Sequence, residues 1–261
     1  MSATAGRSWR AACPNCGAPV EFRSPASASA ICGFCRSTLV RDGESLRKIG
    51  TSAEIFDDFT PLCLGASGSF QGVAFMLVGR LQFGTDDGPW NEWRALFDNG
   101  RSGWLSEDNG RYVFAFDAPA PADAPAVESL QPGQRCAADG RAWTVASVVN
   151  ARVLAAEGEL VQPPRADTAF IVADLRNGAD EVGTLEANPD GAPRWSIGRS
   201  AALGELQLQN LRAAGEKTLK AAGLACPSCG APLAVRSIAS VRPSPLRESA
   251  WWQVCSLSSF Q

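Results

Sequence analysis

Two C-x-x-C pairs separated by fifteen residues, Cys13-Pro-Asn-Cys16 and Cys32-Gly-Phe-Cys35, constrain this chain more than any other feature. That is the spacing of a zinc ribbon, in which two tight knuckles each present two thiolates to one cation. Gly17 or Gly33 supplies the positive φ that such a knuckle needs. The flanking VEFRS and STLVR read as the short strands that carry it. Histidine is absent from all 261 residues, so any zinc must be held by thiolates, and Ser-His-Asp, Cys-His and HExxH chemistry are excluded. A closed shell of Cys13, Cys16, Cys32 and Cys35 leaves no open position, so the expected role of Zn2+ is structural.

The first knuckle has an echo. CPSCGAPLAVRSIAS at 226–240 matches CPNCGAPVEFRSPAS at 13–27 in ten of fifteen positions. The positions where its second C-x-x-C pair should fall hold Pro245 and Glu248, and only Cys255 remains downstream. Cys226, Cys229 and Cys255 thus form an incomplete second metal site, a degenerate half ribbon followed by a tail expected to be poorly ordered. Cys63 and Cys136 stand alone and read as inert thiols.

Between the two motifs the sequence is β-rich. Asn99-Gly100 and Asn109-Gly110 are type I′ hairpin signals bounding strands near 92–98, 101–108 and 111–116. Those turns place Ala95 opposite Trp104 and Leu105 opposite Phe114, with apolar residues on both faces, which suggests a small barrel or sandwich. Gly72-Val-Ala-Phe75 recurs as Gly140-Arg-Ala-Trp143, and Asn99-Gly100 as Asn177-Gly178, the mark of an internal duplication. An Ala/Pro-rich stretch separates the copies and reads as a linker. The expected order is a zinc ribbon (1–48), a first β module (49–117), the linker (118–129), a second, related β module (130–222) and the incomplete C-terminal ribbon (223–261). Residues 203–220 read as a strand passing into a short helix.

Net charge is −3, with basic ends around a middle segment, 51–160, that carries fifteen acidic residues against seven basic ones. An acidic body disfavours a broad nucleic-acid footprint, although the ribbon's arginines leave local phosphate contact open. No apolar run is long enough to span a bilayer, and the first residues lack a signal-peptide pattern, so a cytoplasmic location is expected.

Trp90, Glu92, Trp93, Trp104, Glu107 and Asp108 gather aromatic and acidic groups within nineteen positions, and Glu159 echoes them in the second copy. They read as a recognition groove for a basic or cationic ligand. The same residues also read as structure, with Trp93 and Trp104 in the core and Glu107 and Asp108 starting a turn. GASGS at 65–69 lacks the final Gly of a nucleophile elbow, and no phosphate-binding glycine loop is present. A non-catalytic protein-binding or assembly module is the favoured function. A carboxylate-dependent enzyme and a nucleic-acid-associated ribbon are the alternatives.

The motifs CPNCGAPVEFRS, PLCLG, VGRLQF, WNEW, LFDNGRSGWLSED, ARVLAAEGEL, ADLR and CPSCGAPL occur in that order. In this the chain resembles bacterial proteins that carry the domain of unknown function 4178, over roughly residues 12–235. The resemblance implies a cytoplasmic β domain flanked by zinc ribbons. It carries over no catalytic residue.

Overall fold

The computed structural model describes residues 8–56, 60–86, 88–165, 168–188 and 193–212. All lie in the first, Met1–Ala214, of two units into which the chain divides. The half ribbon with Cys226, Cys229 and Cys255, and the tail after it, fall outside the described residues.

The chain is mainly β, as its hairpin signals and alternating segments require. Five strands form the N-terminal part: β1 (Trp9–Ala12), β2 (Pro19–Phe22), β3 (Ser29–Ile31), β4 (Ser37–Asp42) and β5 (Ser45–Thr51). Five more follow as β6 (Ser67–Phe70), β7 (Val73–Thr85), β8 (Gly88–Phe97), β9 (Ser102–Asp108) and β10 (Arg111–Ala118). The last five are β11 (Arg135–Ala138), β12 (Arg141–Leu160), β13 (Phe170–Arg176), β14 (Glu181–Glu186) and β15 (Arg194–Ala201). β1 and β2 pair with each other, and the remaining thirteen strands form one antiparallel sheet.

Each later run of five strands is a meander, and the two runs meet twice. β10 pairs with β15, and β7 pairs with the second half of β12. With the meander pairings, this closes a circuit of eight strands, β7-β8-β9-β10-β15-β14-β13-β12. Closure removes most of the open edges that a meander would otherwise present. At the second of these junctions Gly79 pairs with Gly158. A Cβ on Gly79 would overlap the Glu159 carbonyl, and one on Gly158, whose φ is +71°, would overlap that of Val78. Glycine at both positions lets the circuit close.

The two runs correspond in detail. Both begin with a tight turn at positive φ, Gln71-Gly72 and Asp139-Gly140. Both long strands carry a bulge, between Leu77 and Gly79 in β7 and, 68 positions on, between Val145 and Ser147 in β12. The row Trp93, Leu105, Phe114 across β8–β10 is matched by Ala173, Leu185, Trp195 across β13–β15. The Asn177-Gly178 correspondence is corrected by this alignment. The residue at positive φ in the second loop is Asp180, at +58°, and Gly178 is not in that region.

One sheet thus carries two apolar cores. The first holds Leu62, Phe75, Leu77, Trp93, Ala95, Leu105, Phe114 and Leu206, and the second Trp143, Val145, Ala173, Leu175, Leu185 and Trp195. The Ala/Pro stretch after β10 is not bare linker. A 3-10 turn at Val127–Ser129 ends it, and Val127 and Leu130 are buried in the second core. Leu203–Leu206 is a 3-10 turn rather than a strand, and Gln209 forms an isolated bridge with Ser67.

The β8/β9 hairpin departs from the expected register by one residue. Ala95 pairs with Gly103 and Arg94 with Trp104, while Leu105 pairs with Phe114 as expected. Asn109 and Gly110 both have positive φ, the type I′ pattern, but at Asn99-Gly100 only Gly100 does, at +82°. A type I turn closed by a glycine bulge adds one residue to the loop. The slip puts Trp93 and Trp104 on opposite faces.

Candidate metal centre and its surroundings

The knuckles are built alike. Gly17 N–H donates to the Cys13 carbonyl and Cys13 N–H to that of Ala18, while Arg36 N–H donates to Cys32 and Cys32 N–H to Ser37, all at 2.8–3.0 Å. The positive φ falls at Gly17 (+76°) and, in the second knuckle, at Arg36 (+56°) rather than at Gly33. Each turn thereby presents two sulfurs to one site.

The four Sγ atoms of Cys13, Cys16, Cys32 and Cys35 lie within 4.8 Å of one another. Cys13–Cys35 and Cys16–Cys32 are each 3.7 Å apart. Sulfurs at 2.3 Å from a central ion at tetrahedral angles lie ~3.8 Å from one another, so the spacing fits a metal and is far too long for a disulfide. Ser37, through its hydroxyl and its N–H, holds Cys35 down to about 5. The Ala18 N–H is the largest single influence on Cys16 and pulls downward, yet the surrounding thiols, Cys35 first, and desolvation push it up to about 12. Thiols this crowded cannot all ionise unless a cation sits among them. Such an ion would be the centre of the small core of Val20, Phe22, Ala30 and Leu39.

The cysteine-bearing part is fastened to the circuit in two ways. Ser29–Ile31 of β3 pairs with Gly158–Leu160 of β12. Buried Glu159 accepts hydrogen bonds from the Arg23 N–H at 2.8 Å, the Ser24 N–H at 3.2 Å and the Ser27 hydroxyl at 2.8 Å. Arg94, fully buried on β8, donates to the same Ser27 oxygen at 2.5 Å. Its burial first, opposed by the charges of Glu159 and Asp117, lowers its pKa.

The other candidate residues divide among three places. Glu107 lies in the first core, where Thr60, Trp93, Tyr112 and Asn91 all donate to it, Trp93 at 3.0 Å. Trp93 and Glu107 are therefore one structural unit. Asp108 is exposed at the β9/β10 turn and accepts from Asn109. Trp90, Glu92 and Trp104 lie away from both cores: Trp90 stacks on Phe83 and donates to Glu92 at 3.5 Å. Trp104 packs with Leu81 beside Ile31, Ala156 and Leu160. Cys63 donates to the Asn210 carbonyl, and burial raises the Cys136 thiol.

Asp117, Asp174, Glu186 and Arg94 were not singled out by sequence. Each is a charged residue inside a strand, the only signal available, and that pattern is also the one of a solvated strand face. Among the described residues no helix is long and apolar enough to cross a membrane. Neither curated proteins nor solved structures yield a match to the chain. The family model described as a domain of unknown function, DUF4178, matches residues 63–202, more than half of the sequence and all of β7–β15, so the chain belongs to the DUF4178 family.

Proposed function

We propose that the chain is a non-catalytic protein-binding module whose docking end is a zinc ribbon. The supporting observation is where exposed apolar side chains fall. Among the described residues the large ones are Phe34, Ile49, Phe56, Leu64 and Leu211, and four of these five belong to the ribbon and the segment joining it to β6. Phe34, 78% exposed, sits at the tip of the second knuckle. A rigid aromatic held out by a metal-braced turn is the kind of anchor that protein interfaces use. Beside it, β5 is a sheet edge, open to strand addition. A groove of about 500 Å³, lined in part by Gly33, Arg36, Ile55 and Leu64, runs next to the second knuckle.

Zinc suits the four-thiolate tetrahedron, and the six described cysteines, all free thiols, suit a reducing compartment such as the cytoplasm. The corresponding bulges and core rows support an internal duplication as the origin of the two strand runs. Nucleic acid is the weaker partner because Arg10 and Arg23 face Glu21, and Arg36 faces Glu54, at 3.0–3.9 Å, leaving less free positive charge on the ribbon.

The test is capture from the native host with zinc-loaded wild type, Phe34→Ser and a chelated sample. A partner held by wild type and lost from both others is expected. A partner set unchanged by Phe34→Ser would overturn the proposal, since so exposed a side chain can be replaced without unfolding the ribbon.

A further inference from the structure

The faces of the eight-strand circuit that turn away from the two cores line one chamber of about 120 Å³. Every strand from β7 to β10 and from β12 to β15 contributes to its surroundings. Its walls include Phe83, Trp104 and Phe170, and its acids are Glu92, Asp117 and Glu186, with Asp174 behind them. Two of these acids are satisfied. Glu186 has Arg194 at 3.5 Å, and Asp174 accepts from Thr184 at 2.9 Å and Ser147 at 3.3 Å.

Glu92 is different. Among the described residues its one hydrogen bond is from the Trp90 indole at 3.5 Å to Oε1; Oε2 receives none, and no basic side chain bonds the group. It is half-buried and lines the chamber. Burial, then the neighbouring charges of Glu186 and Asp174, push its pKa up to about 7. The charged groups around it are Glu186 on β14, Asp174 on β13 and Arg194 on β15, with Asp117 of β10 and Arg165 of the loop after β12 also on the wall, so four acids, Glu92, Glu186 and Asp117 with Asp174 behind, face or adjoin two arginines. A carboxylate that no basic side chain bonds among the described residues, beside aromatic walls, has the form of a site for a positive ligand.

The size limits that ligand. At about 30 Å³ per water, the chamber holds the volume of roughly four waters, which suits a ligand of about four to six non-hydrogen atoms. A divalent metal is a poorer fit, because among the described residues the four cysteines are the only group of three or more ligating side chains with their atoms gathered closely enough. We propose that the chamber binds a small organic ammonium ion, its charge against the Glu92 carboxylate and its methyl or methylene groups against Phe83 and Trp104. This site is separate from the ribbon end and stands or falls independently of protein binding there.

Tetramethylammonium is the probe, because its permanent charge leaves only the protein to titrate. The neutral isostere tert-butanol and potassium chloride are the controls. Calorimetry on the zinc-loaded chain at pH 8 should give saturable one-to-one binding of the probe and none of tert-butanol. Affinity should fall about tenfold per pH unit below 7, because a proton must leave Glu92 first. Glu92→Gln should still unfold cooperatively, at no lower a temperature than wild type, and bind at least about tenfold more weakly. In the wild type, the Trp104 indole resonance should shift with the probe. Equal binding by Glu92→Gln, equal binding of tert-butanol, pH-independent binding, or no saturation by about 10 mM probe would each overturn the proposal.

Discussion

The fastening of the ribbon to the circuit can be measured by a double-mutant cycle on Glu159 and Arg94. Glu159 is 5% exposed and accepts three hydrogen bonds, two of them from backbone N–H groups, of which that of Ser24 is buried. Arg94 is fully buried and reaches Glu159 through the Ser27 hydroxyl, which accepts from the guanidinium and donates to the carboxylate. Glu159→Gln keeps the shape but turns one acceptor into a donor and leaves the guanidinium with Asp117 as its remaining opposite charge. Removing one member of a buried charge pair costs about 3–5 kcal/mol, and the solvation retained through the serine bridge argues for the lower end, about 3 kcal/mol. Arg94→Met should cost a similar amount by leaving Glu159 unopposed. The double variant should cost less than the sum by at least about 1 kcal/mol, because it strands no charge. Urea unfolding of the zinc-loaded proteins, followed by tryptophan fluorescence, reads all four corners. Costs that add to within about 0.5 kcal/mol would show that the backbone pairing of β3 with β12 holds the ribbon alone, and would refute the coupling.

Metal removal should abolish hydrogen-exchange protection across residues 12–40 and spare β7–β15, since the ribbon's core is too small to stand without its ion; protection unchanged after confirmed metal loss would rule out a structural role. Gly100→Val should cost about 1–3 kcal/mol in urea melts, because Gly100 sits at +82°, whereas Gly178→Val should stay within about 0.5 kcal/mol. The Glu92 carboxyl, raised from 4.5 to about 7 in the folded chain, makes the native state hold a proton that the unfolded chain has released. The Glu92 contribution to stability should therefore be most favourable below about pH 4.5, decline as pH rises toward 7, and carry its full cost above it. Glu92→Gln should accordingly melt a few degrees higher than wild type at pH 8 and show no gain at pH 4; a lower melting temperature at pH 8 would contradict the burial of an unpaired carboxylate.

What could be read from the sequence is what neighbouring residues decide among themselves. Cysteine spacing and the lack of histidine determine the four-sulfur centre, and Asn109-Gly110 determines its hairpin and hence the Leu105–Phe114 pair, because these depend on local turns and a period of two. The register of β8 against β9 turned on the single φ of Asn99, which the dipeptide Asn-Gly does not specify. Only the tertiary structure decided that β10 meets β15 and β7 meets β12, contacts whose loop-closure cost is recovered when two cores are buried at once. It also decided the fate of the second face of each strand. A charged residue alternating with apolar ones reads the same whether it points to water, as Asp108 does, or into a chamber, as Glu92 does. Closure of the circuit separates the two cases, by replacing solvent around Glu92 with Glu186, Asp174 and aromatic walls.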